Sequence, residues 1–112
     1  MDIRAINDEY SVSGQITVED LDAVAALGFK SIVCHRPDNE EAGQPDFSVI
    51  AARAKELGIG TAHVPVGPMG VTAEAVNGMV DALDDLPRPM LGYCRSGMRS
   101  TKTYEQAQRL RD

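Results

Sequence analysis

Met90-Leu91-Gly92-Tyr93-Cys94-Arg95-Ser96-Gly97-Met98-Arg99-Ser100 is the most informative stretch of this chain. Residues 90–93 read as a short buried strand, and a helix is expected to begin just after Arg99. Cys94 therefore falls between the carboxyl end of a strand and the start of a helix, where α/β proteins bind their ligands. A loop in that place can turn successive backbone N–H groups inward and form a nest for an anion. Gly97 lets such a loop close tightly or adopt positive φ. Arg95 and Arg99 add fixed positive charge, and a cysteine in first position puts its sulfur at the mouth of the nest. All three features favour thiolate over thiol. A downward shift of about two units would make the thiolate dominant at neutral pH and needs ~2.7 kcal/mol of differential stabilisation. Amide donors and a guanidinium can supply that. A cysteine alone is usually a packed, inert core residue, but the surrounding glycine and arginines point to a reactive one.

Working outward, the punctuation is regular. Residues 3–6 and 10–13 flank Asn7-Asp8-Glu9 and predict a hairpin. Thr17 caps a helix carrying Val18, Leu21, Val24 and Leu27, with Gly28 at its end. Residues 31–34 are a buried strand. A helix from Pro45 places Phe47, Ile50, Ala51, Ala54 and Leu57 on one face and stops at Gly58. Residues 61–66 are a strand limited by Pro65, and Thr72 caps a helix bearing Val76, Met79, Val80 and Leu83. Strands alternate with helices across short loops, which predicts an α/β fold around a mainly parallel sheet of about five strands flanked by helices. No repeat or linker divides residues 1–112, so a single domain is expected.

Composition narrows the function. With 43% apolar and 25% charged residues the chain is globular, and 112 residues suit one core. A net charge of −6 and only five aromatics (three Tyr, two Phe) argue against a nucleic-acid surface. No apolar run approaches the ~20 residues of a membrane helix, so no membrane insertion is expected. The first residues lack the basic and apolar regions of a signal peptide, and the two cysteines make neither a CxxC pair nor a disulfide framework. A cytoplasmic protein is the expectation. The charge is uneven, since five of the eleven bases fall between Arg95 and Arg111.

Cys34 stands beside His35, but neighbours on a strand face opposite ways, so Cys34 reads as packing. Were it close to Cys94, a disulfide would become an alternative for redox control. The two histidines show no zinc-ligand spacing. Arg36 and Asp38 follow a parallel-type strand and can border the same crevice as Cys94, or form a salt-bridged loop. The acids from Asp38 to Asp46 read as an exposed face. The last helix is polar, with Met98, Thr101, Tyr104, Ala107 and Leu110 outlining a weak face. Either that helix is less buried than in relatives, or the domain continues in a partner or a longer polypeptide.

The segment from Cys94 to Ser100 resembles the active-site loop of rhodanese-type sulfurtransferases. The whole chain resembles the bacterial phosphatase-like domain of the beta-lactamase-hydrolase-like proteins, a family also described as sulfur transferases. That likeness runs through Asp2-Ile3-Arg4, Gln15-Ile16, Arg36-Pro37-Asp38-Asn39-Glu40-Glu41, Gly43-Gln44-Pro45 and His63-Val64-Pro65-Val66. It implies a three-layer fold like that of the dual-specificity phosphatases, and the chemistry needs separate argument. Four residues separate Cys94 from Arg99, as in the rhodanese pattern. Phosphatases of this architecture have five, usually with a histidine before the cysteine, where Tyr93 stands here. A shorter loop should make a narrower nest, better suited to sulfur than to a phosphoryl group. Phosphoryl transfer also calls for a general acid, and Gly67-Pro68-Met69-Gly70 holds none, although Asp38, Glu40, Glu41 or Asp46 could supply one.

These features lean to a rhodanese-type sulfurtransferase. Cys94 would take a sulfane sulfur from thiosulfate or a persulfide such as glutathione persulfide and pass it to a thiol, cyanide or sulfite. Arg99 would brace the loop, Arg95 would draw in the anionic donor, and Ser96, Gly97, Met98 and Ser100 would complete the nest. No metal or organic cofactor is implied. The resemblance also implies a persulfide-oxidising or sulfide-oxidising enzyme, fused or separate, as a partner. The alternatives are a cysteine-dependent phosphatase and a non-catalytic module that senses persulfide or another anion.

Overall fold

Strand β5 (Met90–Tyr93) is the central strand of a five-stranded sheet in the computed structural model, which describes residues 1–111. The other strands are β1 (Arg4–Ala5), β2 (Tyr10–Ser13), β3 (Ser31–Cys34) and β4 (Gly60–His63), in the spatial order β1-β2-β5-β3-β4. Only the β1–β2 hairpin is antiparallel; the other pairs are parallel. Every residue of β2, β3 and β5 is buried, as expected for strands covered on both faces.

Four helices supply that cover: α1 (Asp20–Ala26), α2 (Phe47–Glu56), α3 (Ala73–Asp85) and α4 (Met98–Arg111). Strand alternation sends Ile32, Cys34, Leu91 and Tyr93 into one core with Leu21, Val24, Ile50 and Ala54 of α1 and α2. It sends Tyr10, Val12, Val33 and Met90 into the other, with Met79, Leu83, Tyr104 and Ala107 of α3 and α4. This is the three-layer arrangement expected. Several boundaries differ. Strand β4 ends at His63, because Pro65 has no N–H to give, yet the Val64 and Val66 amides still reach the Cys34 and His35 carbonyls at 2.9 Å. Helix α1 stops before Leu27, which is 63% exposed. Thr72 caps α3 as predicted, its hydroxyl accepting from the Ala75 amide.

Helix α4 corrects the sequence reading in two ways. It starts at Met98, inside the expected loop, and its buried face is Ser100, Thr103, Tyr104 and Ala107. Met98 and Leu110 are 60% and 64% exposed. Small polar residues can face the sheet because their hydroxyls turn back on the helix: Thr103 Oγ1 donates to the Arg99 carbonyl at 2.7 Å. Thr101 Oγ1 does the same with Gly97, at 2.9 Å. The polar helix thus packs within this domain.

Gly92 sets how close α4 comes. Tyr10 crosses above it, stacks on Tyr104 at 3.9 Å and donates its hydroxyl to the Ser100 carbonyl at 3.2 Å. A Cβ at Gly92 would collide with that hydroxyl. We expect Gly92→Ala to lose about 1–3 kcal/mol in urea unfolding, as an overpacked core does. The Gly92→Ala/Tyr10→Phe double variant, which lacks the colliding oxygen, should recover part of that loss; strictly additive effects would refute the contact.

Candidate active site

Cys94 is the first residue past β5 and lies at the foot of α4, with only Arg95, Ser96 and Gly97 between it and the first helical residue. The unpaired amides of that helix end are the nearest donors. Gly97 N–H donates to Cys94 Sγ at 3.0 Å. It can do so because Gly97 has φ +94°, and a Cβ there would also meet Arg4 Nη2 at 2.6 Å. The same Arg4 nitrogen holds the Ser96 carbonyl from outside at 3.1 Å. Burial alone would push the Cys94 thiol up. The amides of Ser100, Ser96 and Gly97, with the otherwise unpartnered Ser100 hydroxyl, outweigh burial and bring it below its ordinary value.

Arg99 is the second residue of α4 and is fixed in place. Its Nη1 donates to the Val66 carbonyl at 2.7 Å, and Nη1 and Nη2 each donate to Glu40 at 2.7 Å. Glu40 in turn accepts from Arg36 Nε at 2.8 Å. Arg36 is buried, and its remaining nitrogens reach Gln15 at 3.0 Å and Glu41 at 3.1 Å. Arg99 and Arg36 together hold the Glu40 carboxyl down at about 2. Cys94 also lies close enough for its negative charge to raise the Arg99 guanidinium, after the larger effect of Glu40.

A cavity of about 640 Å³ opens here, walled by Val66, Gly67 and Pro68 on one side and by Arg95, Ser96 and Arg99 on the other. Met98, Lys102, Gln106 and Glu40 complete its rim. Gly97 and Ser100 face the sulfur. Arg36 lies behind the cavity, acting on it through Glu40, while Asp38 is elsewhere: its Oδ1 receives the Phe47 amide at the start of α2. Cys34 faces the α1–α2 core with its Sγ on the Arg36 carbonyl at 3.4 Å, and both cysteines are free thiols. Burial pushes the Cys34 thiol up. His35 is fully buried with Nδ1–H on the Val64 carbonyl at 2.9 Å, and burial lowers it to about 4.

Lys102 is a site residue that the sequence reading did not name, and Glu40 is one it named only among four possible acids. Lys102 had a signal, lying three residues beyond Arg99 on one helix face. Glu40 had none, since nothing local distinguishes it from the other acids of its loop.

The Glu40 pairing carries a pH signature. Its carboxyl titrates at about 2 in the fold against 4.5 when free, so the unfolded chain binds the proton more readily. The pairing stabilises the fold fully above pH 4.5 and loses that contribution as pH falls towards 2. We expect the urea midpoint to fall across this window and the fall to be shallower in Glu40→Gln. An equal slope in both proteins would show that Glu40 is not so held.

The sequence profile of "Beta-lactamase hydrolase-like protein, phosphatase-like domain" matches residues 2–111. The chain is 31% identical over 104 residues to a beta-lactamase hydrolase-like protein of Xylella fastidiosa, covering 93% of this chain and 24% of that one. It thus spans about a quarter of the curated relatives' length. A phosphatase candidate of solved structure from Neisseria meningitidis is 33% identical, with a TM-score of 0.81 over 89% of this chain and 71% of that one. The catalytic core of a PP-IP phosphatase from S. cerevisiae shares the fold at 16% identity and a TM-score of 0.63, covering 96% of this chain and 74% of that one. The family match and the Neisseria likeness overturn the rhodanese-type sulfurtransferase expectation, and with it the transferase assignment: the family is described as phosphatase-like and the Neisseria protein as a phosphatase candidate. The physical error was to infer the width of the site from a residue count. The short loop runs straight into α4, and the cavity it opens on, at about 640 Å³, has room for a phosphoryl group with an organic substituent. The chain belongs to the phosphatase-like domain family of the beta-lactamase hydrolase-like proteins.

Proposed function

We propose that the chain is a cysteine-dependent phosphatase. The observation that carries this reading is the buried Cys94 sulfur, held under the amide end of α4 with Arg99 fixed nearby and a cavity opening on Arg95, Ser96 and Arg99 of the same loop and helix end. Thiolate at Cys94 attacks the phosphorus of a bound phosphate ester. The S–P bond forms as the P–O bond to the leaving group breaks, and the electron pair leaves with that oxygen. The amides that stabilise the thiolate then surround the oxygens of the transferred phosphoryl group, and Arg99 offsets their charge. Water attacks the phosphocysteine, the S–P electron pair returns to Cys94, and phosphate leaves.

Arg99 suits this role because its guanidinium plane is set by Glu40 and the Val66 carbonyl before any substrate arrives. A lysine would keep the charge and lose the fork.

The test is phosphate release from an activated aryl phosphate, with intact-mass detection of a phosphorylated Cys94 after rapid acid quench. Cys94→Ser should lower turnover by on the order of 10³-fold or more and abolish the thiophosphate adduct. Arg99→Lys should cost about 10²–10³-fold in kcat/KM, as loss of a preorganised donor does. Full turnover in Cys94→Ser would overturn the assignment.

A further inference from the structure

We propose that the substrate of this site is a phosphoanhydride, with its terminal phosphoryl group over Cys94 and its second phosphate beside Arg95 and Lys102, and that the leaving phosphate departs without being protonated by the protein. This rests on the phosphatase reading above.

Two independent observations lead there. The first concerns protons. Glu40 is the only carboxylate lining the cavity among the described residues, and both Arg99 and Arg36 hold it. At about 2 it has no proton to give at neutral pH. Asp38 is engaged with the Phe47 amide, Glu41 is engaged with Arg36, and the loop from Gly67 to Gly70 has no acid. His35 is neutral, and its one N–H is committed to the Val64 carbonyl. An alkyl ester expels an alkoxide and so depends on an acid, which contributes about 10²–10⁴-fold. A phosphoanhydride expels phosphate, an anion stable at neutral pH, and does not need one.

The second observation concerns charge. Three bases, Arg95, Arg99 and Lys102, line the cavity against one carboxylate, in a chain of net charge −6. Arg99 is satisfied by Glu40 and faces the nest, whereas Arg95 and Lys102 make no ion pair among the described residues. A single phosphoryl group in the nest leaves those two cations unmatched. A second phosphate bonded to the first places its charge beside them and also serves as the leaving group.

The chemistry balances without another reactant. The S–P bond forms as the anhydride P–O bond breaks, and the departing phosphate keeps the electron pair. Water then cleaves the phosphocysteine and its proton passes to solvent.

The experiment compares kcat/KM of the full chain on aryl phosphates of graded leaving-group acidity, inorganic pyrophosphate, a nucleoside diphosphate and glycerol phosphate. We expect a steep fall as the leaving group becomes more basic, and glycerol phosphate about 10²–10⁴-fold below the better anhydride. The better anhydride distinguishes free pyrophosphate from an organic diphosphate. The pH profile should rise through the Cys94 ionisation to a plateau, with no alkaline limb from an acid that must stay protonated. Arg95→Ala/Lys102→Ala should cost the anhydride at least about tenfold more than the aryl phosphate, the scale of one lost charge contact. A flat leaving-group dependence, or glycerol phosphate as fast as both anhydrides, would overturn the proposal and leave the phosphatase reading standing. So would aryl phosphate turnover with neither anhydride cleaved. No turnover of the most activated aryl phosphate would overturn both.

Discussion

The stabilisation of negative charge on a buried sulfur governs the rest of this structure. Removing a charged group from water costs several kcal/mol unless donors replace the lost solvent. Cys94 is fully buried, so its thiolate exists only if the first turn of α4 lies directly against it. That turn is held from three sides. Tyr10 reaches the Ser100 carbonyl across Gly92, Arg4 turns the Ser96 carbonyl outward, and the left-handed Gly97 swings its own amide onto the sulfur. A side chain at Gly92 would collide with the Tyr10 hydroxyl and one at Gly97 with Arg4, which ties two glycines in the sheet and loop to the chemistry of a third residue.

The same logic extends through the charges. Arg36 is as buried as an apolar core residue, and a buried guanidinium is stable only with its hydrogen bonds complete. Gln15, Glu40 and Glu41 complete them, each from a different side. Glu40 is then held by one arginine that belongs to the core and one that belongs to the site. The geometry of Arg99 is thereby set by the packing of β3 and its following loop, well away from Cys94 in sequence. The core arginine and the site arginine share one carboxylate.

Much of this was legible in the sequence. The strand-to-helix cysteine, the alternation of elements and the caps at Thr72, Gly28 and Gly58 follow from local rules that depend on a few adjacent residues. Three matters were not legible, each for a physical reason. The buried face of α4 includes Ser100 and Thr103, the latter with its hydroxyl bonded back to its own helix, and hydropathy scores such residues as solvent-facing. Glu40 is distinguished from Glu41 and Asp46 only by what stands opposite it, which is fifty-nine residues away in the chain. The choice between sulfur and phosphorus rests in the sequence on the number of residues in the loop, on Tyr93 before the cysteine and on the lack of an acid in residues 67–70. Loop length limits the backbone, whereas the size of the site is set by Val66, Gly67 and Pro68 on another element.

That last separation explains why the loop and its surroundings point to different parts of the chemistry. The nest is generic: amides and a guanidinium stabilise any small anion bonded to sulfur, and by itself it does not choose a substrate. Choice comes from what surrounds it. Here, among the described residues, the surroundings place two cations without ion pairs, Arg95 and Lys102, on the cavity wall and commit its one carboxylate to an arginine pair. A site can use a carboxylate either to fix its arginine or to deliver a proton, because the arginine that orients the group also strips its proton. This chain uses Glu40 for the first purpose. Its gain is a preorganised Arg99, and on the phosphatase reading its cost is confinement to leaving groups that are stable without a proton.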